Sequence, residues 1–215
     1  MKRNEMLPNN LIAMKILILS ITTLLFSFIS KGQSDTAEIK MISEYGSKNK
    51  EIANLLLFQD VDYYTVKFIG NNLKNKYYTL LVKEIWNRKI KNIDTIINSK
   101  TNSKLGTSGT DTLSLTVLAS KVDKNKLKLF FRFPMVGINR QYKATLSNDY
   151  SLKDVGSNEK IESNKYFPAF AYILPHIEDN WKNYCGVTQS GISIYDWGKE
   201  FKLKHYLVFE MKFED

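Results

Sequence analysis

Apolar and polar residues alternate with a period of two along most of the chain after residue 60, which predicts β-strands. Short polar connections separate the alternating stretches, and two of them, 87–89 and 123–125, are typical of hairpins. The predicted strands cover residues 62–68, 77–86, 90–97, 113–119, 127–133, 138–146, 166–174 and 207–213. This number and spacing predicts a mainly β fold, an antiparallel β-sandwich of about seven to eight strands with one or two short helices.

Helical spacing of apolar residues is confined to short stretches. Residues 48–58 carry an approximate helical stripe, and Ser47 is a candidate N-cap, so we predict a short helix there. Residues 193–196 resemble a capping box with Asp in place of Glu, which predicts a second short helix ending at Phe201. Strands and helices do not alternate along the chain, so a doubly wound parallel sheet is not expected.

The predicted strand 166–174 is apolar on both faces. We expect it to be a central strand covered on both sides, or to place one face at a contact between subunits. Pro168 argues against a fully paired position in the middle of a sheet, because proline has no N–H to donate. The inward-facing residues of all the predicted strands suffice for one core, and we predict a single one.

The N-terminal residues have the pattern of a secretory signal peptide. A lysine precedes the uncharged apolar run Ile16–Ile29, and the small residues Ser30 and Gly32 come before Gln33. This run is shorter than the roughly 20 residues of a spanning helix, so we predict cleavage after Gly32, with a retained membrane anchor as the alternative. Met14 is a candidate start, because the residues before it are polar.

These patterns divide the chain into three parts. Residues 1–32 are the predicted signal peptide, 33–58 an N-terminal segment with a short helix, and 59–215 the β-sandwich domain. Export predicts a periplasmic or extracellular location, with no stable membrane span after cleavage.

Two segments resemble proteins of one bacterial group. The short apolar run followed by a Gly-Gln junction resembles export signals of Bacteroidetes-type bacteria. Trp197–Phe201 and His205–Phe209 resemble segments of uncharacterised exported β-sandwich proteins of the same group. The resemblance implies export and a sandwich fold, and it implies no activity.

Composition narrows the functional classes. The chain has 31 Lys and Arg against 22 Asp and Glu, a net charge of +9. Like charges do not form long runs, so nucleic acid is not an expected partner. One Cys and two His argue against a disulfide scaffold and a multi-histidine metal centre, and we predict no cofactor. The unpaired Cys185 is expected to be buried, as free cysteines usually are.

Aromatic residues in the irregular C-terminal third are the candidate binding residues, because exposed rings on loops anchor partners or stack on sugars. For one of them, Trp197, packing of its helix onto the sheet is the favoured alternative. The candidates are Trp181, Tyr184, Tyr195 and Trp197.

Metal and catalytic candidates are few. His176, Glu178 and Asp179 could together hold a divalent cation, but we favour a solvated loop, because no second His lies at ligand spacing. His205 is expected to have a packing or hydrogen-bonding role. Asp60 and Asp62 are expected to face the same side, and the preference of Asp for turns explains both.

Three functions follow, in order of preference. The first is an exported non-enzymatic binding protein with a protein partner, such as an immunity-type inhibitor or an envelope accessory factor. The second is a carbohydrate-binding module, which rests on the predicted sandwich and the loop aromatics. The third is a hydrolase that uses His176 or His205 with carboxylates. The sequence leaves the partner and the oligomeric state open.

Overall fold

The computed structural model describes residues 38–102 and 104–215. Within them, two five-stranded antiparallel sheets pack together, which confirms the predicted mainly β sandwich. The predicted signal peptide, residues 1–32, lies outside the described residues. The elements in chain order are β1 (Lys40–Tyr45), α1 (Lys50–Phe58), β2 (Asp62–Ile69), β3 (Tyr77–Trp86), β4 (Lys89–Asn98), β5 (Thr112–Asp123), β6 (Lys126–Arg132), β7 (Gly137–Lys143), β8 (Ser151–Asp154), β9 (Phe167–Ile173), β10 (His176–Glu178), β11 (Trp181–Asn183), α2 (Cys185–Thr188), α3 (Trp197–Glu200) and β12 (His205–Glu214).

The strands are distributed between two large sheets and one hairpin. Sheet one has the order β1-β2-β5-β6-β7, and sheet two has the order β4-β3-β12-β9-β8. Strands β10 and β11 pair only with each other. The period-two pattern is visible in β5, where Leu113, Leu115 and Val117 are buried while the residues between them are half-exposed. This alternation is why the sequence located most strands correctly.

The chain has more strands than the predicted seven or eight. The additional ones are β1, β8, β10 and β11, of which the last three are only three or four residues long. Strands this short carry too few residues for a recognisable alternation. Because β1 pairs with β2, residues 40–45 are part of sheet one, although they lie in the N-terminal segment of the sequence-based division.

Buried apolar residues of the described chain form two clusters, so the prediction of a single core is wrong. The larger cluster fills the space between the sheets. The smaller one lies on the outer face of sheet two, where Trp197 and Leu203 pack against Tyr206 and Val208 of β12. A second layer is needed because β9 and β12 are apolar on both faces, and residues 184–203 supply it.

Strand β9 is covered on both sides, as expected from its composition. Its Pro168 lies opposite Glu210 of β12, next to a shift of register. Strand β8 reaches β9 only as far as Phe170, so Pro168 has a neighbouring strand on one side. The proline therefore occupies a position that does not require its missing N–H.

The helices begin later than predicted. Asn49, and not Ser47, caps α1, because its side-chain oxygen accepts hydrogen bonds from the backbone N–H groups of Glu51 and Ile52. Residues 193–196 form a turn instead of a capping box, and α3 starts at Trp197. Among the described helices, none has the length and apolar character that crossing a membrane requires.

Candidate functional site

One end of the space between the sheets holds polar side chains, although apolar residues fill its middle. We call this region the polar end, and its members are Asp62, Glu84, Tyr150, Tyr172 and His205. Four of them lie in β2, β3, β9 and β12, and Tyr150 lies in the connection before β8. The sandwich therefore gathers side chains that are far apart in the sequence.

A cleft with a volume of about 380 Å³ opens at the polar end beside α1. This size lies within the range of small-ligand sites. Three aspartates and one lysine line it, an excess of negative side chains in a chain whose net charge is +9. We call it the tyrosine–aspartate cleft, and its lining residues are Tyr45, Leu56, Leu57, Asp60, Val61, Asp62, Lys121, Asn148, Asp149, Tyr150 and Tyr172.

Asp62 is the half-buried carboxylate at the base of this cleft. One of its oxygens accepts the hydroxyl hydrogen of Tyr45, and the other accepts the backbone N–H of Leu152 at 2.8 Å. Burial raises the pKa of Asp62 despite these hydrogen bonds. Asp60, two residues earlier, is exposed and has a left-handed backbone with φ of 50°. Both line the cleft, as the expectation of a shared side implies.

Tyr172 presents its hydroxyl to the cleft. The residue is only 2% exposed, and its ring packs against Tyr150 with 5.4 Å between the ring centres. Burial and the neighbouring charge of Asp62 raise the pKa of Tyr172, and no hydrogen bond to a described residue compensates. Because this hydroxyl has no hydrogen-bond partner among the described residues, a ligand atom in the cleft could satisfy it.

The other charged residues of the cleft are already engaged. Asp149 forms an ion pair with Lys182, with 2.5 Å between Nζ and Oδ1. Lys121 donates hydrogen bonds to the carbonyl oxygens of Leu146 and Ser147 at 2.7 and 3.1 Å. These contacts hold the 146–149 segment at the mouth of the cleft.

His205 is completely buried at the start of β12. Its Nδ1 shares a hydrogen bond of 2.7 Å with the hydroxyl of Tyr150, and its ring stacks on Trp86. Its Nε2 lies 3.5 Å from Oε1 of Glu84 and makes no hydrogen bond there. Burial lowers the pKa of His205, and the nearby Glu84 offsets only part of this effect. The neutral ring is therefore the favoured form.

Glu84 connects His205 to the surface. Burial acts to raise the pKa of Glu84, but the neighbouring His205 and the indole N–H of Trp86 outweigh it and lower the pKa. The Trp86 nitrogen lies 2.7 Å from Oε1. The carboxylate also borders a cavity of about 530 Å³ that Lys91 and Lys143 line. Glu84 is therefore a charged group whose partners come from both the interior and the surface.

The predicted binding aromatics occupy different environments. Trp181 in β11 is 78% exposed, and Tyr184 is half-buried with its hydroxyl donating to the Asp149 carbonyl at 2.7 Å. Tyr195 donates its hydroxyl to Glu210, which also pairs with Lys83. Trp197 is 2% exposed and packs on sheet two, the alternative favoured for it from the sequence. A binding role for the three accessible aromatics stays a prediction.

The weak metal candidates do not form a ligand set. His176 is half-buried and its Nδ1 lies 3.2 Å from the carbonyl oxygen of Phe201, whereas Glu178 and Asp179 are exposed in the β10–β11 hairpin. Among the described residues, no three His, Cys, Asp or Glu side chains are grouped suitably for a metal ion. Cys185 is exposed, contrary to the expectation of burial, because Val187 is the residue that anchors α2.

Helix α1 stands beside the cleft with an unusual surface. Each of its residues is exposed or half-buried, including its five large apolar ones. Leu57 and Phe58 are 78% and 81% exposed, and Ile52 and Leu55 are exposed as well. Apolar residues clustered on one exposed element mark an interaction surface more often than isolated ones do.

Sequence reasoning missed the roles of Tyr45, Tyr150 and Tyr172 at the cleft. Nothing in the local sequence distinguishes these from the other nine tyrosines of the chain. Their proximity depends on the pairing of β1 with β2 and of β8 with β9. The one available signal was the pair Asp60 and Asp62, which the sequence places at the start of a strand.

Comparison of the chain with protein-family models gives no match, and searches of curated proteins and of solved structures give none either.

Proposed function

We propose that the protein is an exported binding protein that contacts a protein partner through α1 and the adjoining tyrosine–aspartate cleft. The observation that carries this proposal is the exposure of Leu55, Leu57 and Phe58 on α1. A nine-residue helix is marginal by itself in water, and apolar residues all around a helix are typical of one that is covered. An immunity-type inhibitor or an envelope accessory factor would use such a surface.

Photo-crosslinking in cells that produce the protein tests the proposed contact. A benzophenone amino acid replaces Leu57 in one variant and Met135 in the other. The two positions are 78% and 79% exposed, and Met135 lies in the connection from β6 to β7, on the far side of sheet one from β1. We expect a discrete adduct with one other protein from position 57 only. Identical adducts from both positions, or none from position 57, would contradict the proposal.

We also propose export, because residues 1–32 have the pattern of a cleaved signal peptide. N-terminal sequencing of the protein recovered from the periplasm or the medium should give Gln33 as the first residue. A product that retains residues 14–32 would show that the apolar run is not removed.

Hydrolysis by a histidine has less support than binding. A general base has to reach a proton of the substrate. His205 is completely buried, and its ring is held between Tyr150 and Trp86. His176 has the carbonyl of Phe201 as its hydrogen-bonding neighbour. A glycan remains the alternative ligand, since tyrosines and aspartates line the cleft.

A further inference from the structure

We infer that the tyrosine–aspartate cleft binds the side chain of a lysine or arginine, which the partner presents next to its apolar contact with α1. The inference rests on the proposed function, because it names the chemistry of the partner at that same surface. Leu56 and Leu57 of α1 form one wall of the cleft. An apolar segment lying on α1 therefore brings its neighbouring side chain to the cleft.

The lining of the cleft carries more negative than positive side chains. Within the described chain, neither Asp60 nor Asp62 forms an ion pair, whereas Asp149 forms one with Lys182. The only lysine in the lining, Lys121, is occupied by two carbonyl oxygens. A cation that enters the cleft meets two carboxylates without an ion pair, those of Asp60 and Asp62, whereas an anion meets repulsion.

Burial strengthens the attraction of Asp62 for a cation. Asp62 is half-buried, and an attraction between charges grows stronger as water is removed from around them. Burial raises the pKa of Asp62, and the hydrogen bonds from Tyr45 and Leu152 and the charge of Lys153 offset only part of this effect. An ammonium or guanidinium group beside it would supply the missing compensation.

Tyr172, a residue that is only 2% exposed, lines the cleft, and its hydroxyl lacks a hydrogen-bond partner among the described residues. Its oxygen can accept a hydrogen bond from a cationic N–H group. Tyrosine rings also attract cations. Lys153 illustrates this preference, because its Nζ lies 5.6 Å from the ring centre of Tyr45 and 4.5 Å from that of Tyr184.

A neutral sugar fits the cleft less well than a cation. Sugar hydroxyl groups need both hydrogen-bond donors and acceptors, whereas ionised carboxylates only accept. Among the donors in the lining, Lys121 already donates to two carbonyl oxygens and the Tyr45 hydroxyl donates to Asp62. The Asn148 amide and the Tyr172 hydroxyl remain as donors, whereas the carboxylates of Asp60 and Asp62 only accept, and these carboxylates suit a ligand that donates several hydrogen bonds.

Two blocked tripeptides test the inference on the whole protein. The probes are acetyl-Leu-Lys-Leu-amide and the matched acetyl-Leu-norleucine-Leu-amide, and the readout is the NMR methyl signals of Leu56 and Leu57. We expect the lysine peptide to shift these signals and to bind at least about fivefold more tightly, and we expect added salt to weaken it. Equal affinity of the two peptides would overturn the inference. A neutral trisaccharide that shifts these signals when the lysine peptide does not would overturn it in favour of a glycan.

Matched variants locate the binding to the cleft. Asp60→Asn should weaken the lysine peptide about fivefold. Its left-handed backbone accommodates asparagine as readily as aspartate, so the fold is retained. Asp111→Asn removes the same charge at the other end of β5 and should leave the affinity unchanged. Tyr172→Phe, which removes only the hydroxyl, should weaken the lysine peptide and not the norleucine peptide.

The two failures are distinguishable. A specific adduct from position 57, together with an unchanged affinity of Asp60→Asn for the lysine peptide, would overturn the cationic ligand and leave the α1 contact standing. Absence of the adduct would overturn the proposed function, whatever the peptides do.

Discussion

His205 links three separate parts of the chain at the polar end. Its ring contacts Tyr150, which precedes β8, and both Trp86 and Glu84 of β3. His205 is itself the first residue of β12. The buried imidazole packs on the Trp86 ring and shares a hydrogen bond through its Nδ1. This position agrees with the packing or hydrogen-bonding role expected for it from the sequence.

Replacement of His205 by alanine should destabilise the protein substantially. The change leaves a cavity beside Trp86 and removes one of the two residues that hydrogen-bond to the Tyr150 hydroxyl, so the free energy of unfolding should fall by about 2–4 kcal/mol. Urea denaturation measures the loss. His176→Ala is the control, and because that ring is only half-buried its cost should be about 1 kcal/mol or less. Equal costs for both variants would contradict the role given to His205.

Acid should also weaken the fold through His205. Burial lowers the pKa of His205 in the folded state below the ordinary value of 6.5, so the unfolded chain binds the proton more readily. The contribution is complete above about pH 6.5 and is lost as the pH falls toward the folded pKa. Urea denaturation at pH 7.5 and pH 5.5 should show the decrease, and His205→Gln should reduce it. An identical decrease in the variant would assign the effect to other groups.

At the scale of elements, strand interiors were predictable, whereas the layer on sheet two was predictable only at Trp197. The aromatic and aliphatic content of residues 77–86 predicted β3 to the residue, because this strand is buried along most of its length. The segment 184–203 has no such period. It folds as two single-turn helices held by Val187, Ile194 and Trp197, and each anchor depends on sheet two being in place. Local sequence carries little information about such a covering layer.

The covering layer should depend on Trp197. Trp197→Ala removes a completely buried ring from the cluster on sheet two and should lower the free energy of unfolding by about 3–5 kcal/mol. Trp181→Ala changes the same residue type at a position that is 78% exposed, and it should cost about 0.5 kcal/mol or less. Thermal or urea denaturation compares the two. Similar costs would mean that the layer does not stabilise the sheet.

At the scale of the whole molecule, aspartates join the two sheets along both sides of the sandwich. On one side Asp62 of β2 accepts the N–H of Leu152 in β8, and on the other Asp94 of β4 binds Arg140 and Tyr142 of β7. These contacts link the edge regions of different sheets without a shared strand. They also explain why the cleft lies where it does, since Asp62 is one of the joining residues.

Asp62→Asn tests this join. The amide has one accepting oxygen where the carboxylate has two, so the Tyr45 hydroxyl and the Leu152 N–H can no longer donate to separate oxygens of this side chain. The free energy of unfolding should fall by about 1–3 kcal/mol. The same substitution at the exposed Asp60 should have almost no effect on stability, which thermal denaturation of both variants will show. An Asp62→Asn variant as stable as the unchanged protein would mean that Asp62 does not stabilise the join between the sheets.

The central place of β12 in sheet two affects when the protein can fold. Trp86 of β3 pairs with His205 of β12, which lies more than a hundred residues later in the chain. Until β12 has been synthesised, β3 and β9 lack the strand that lies between them in sheet two. We therefore expect slow assembly dominated by distant pairings. A chain that folds late stays unfolded for longer, and this would suit the export that we propose for the protein.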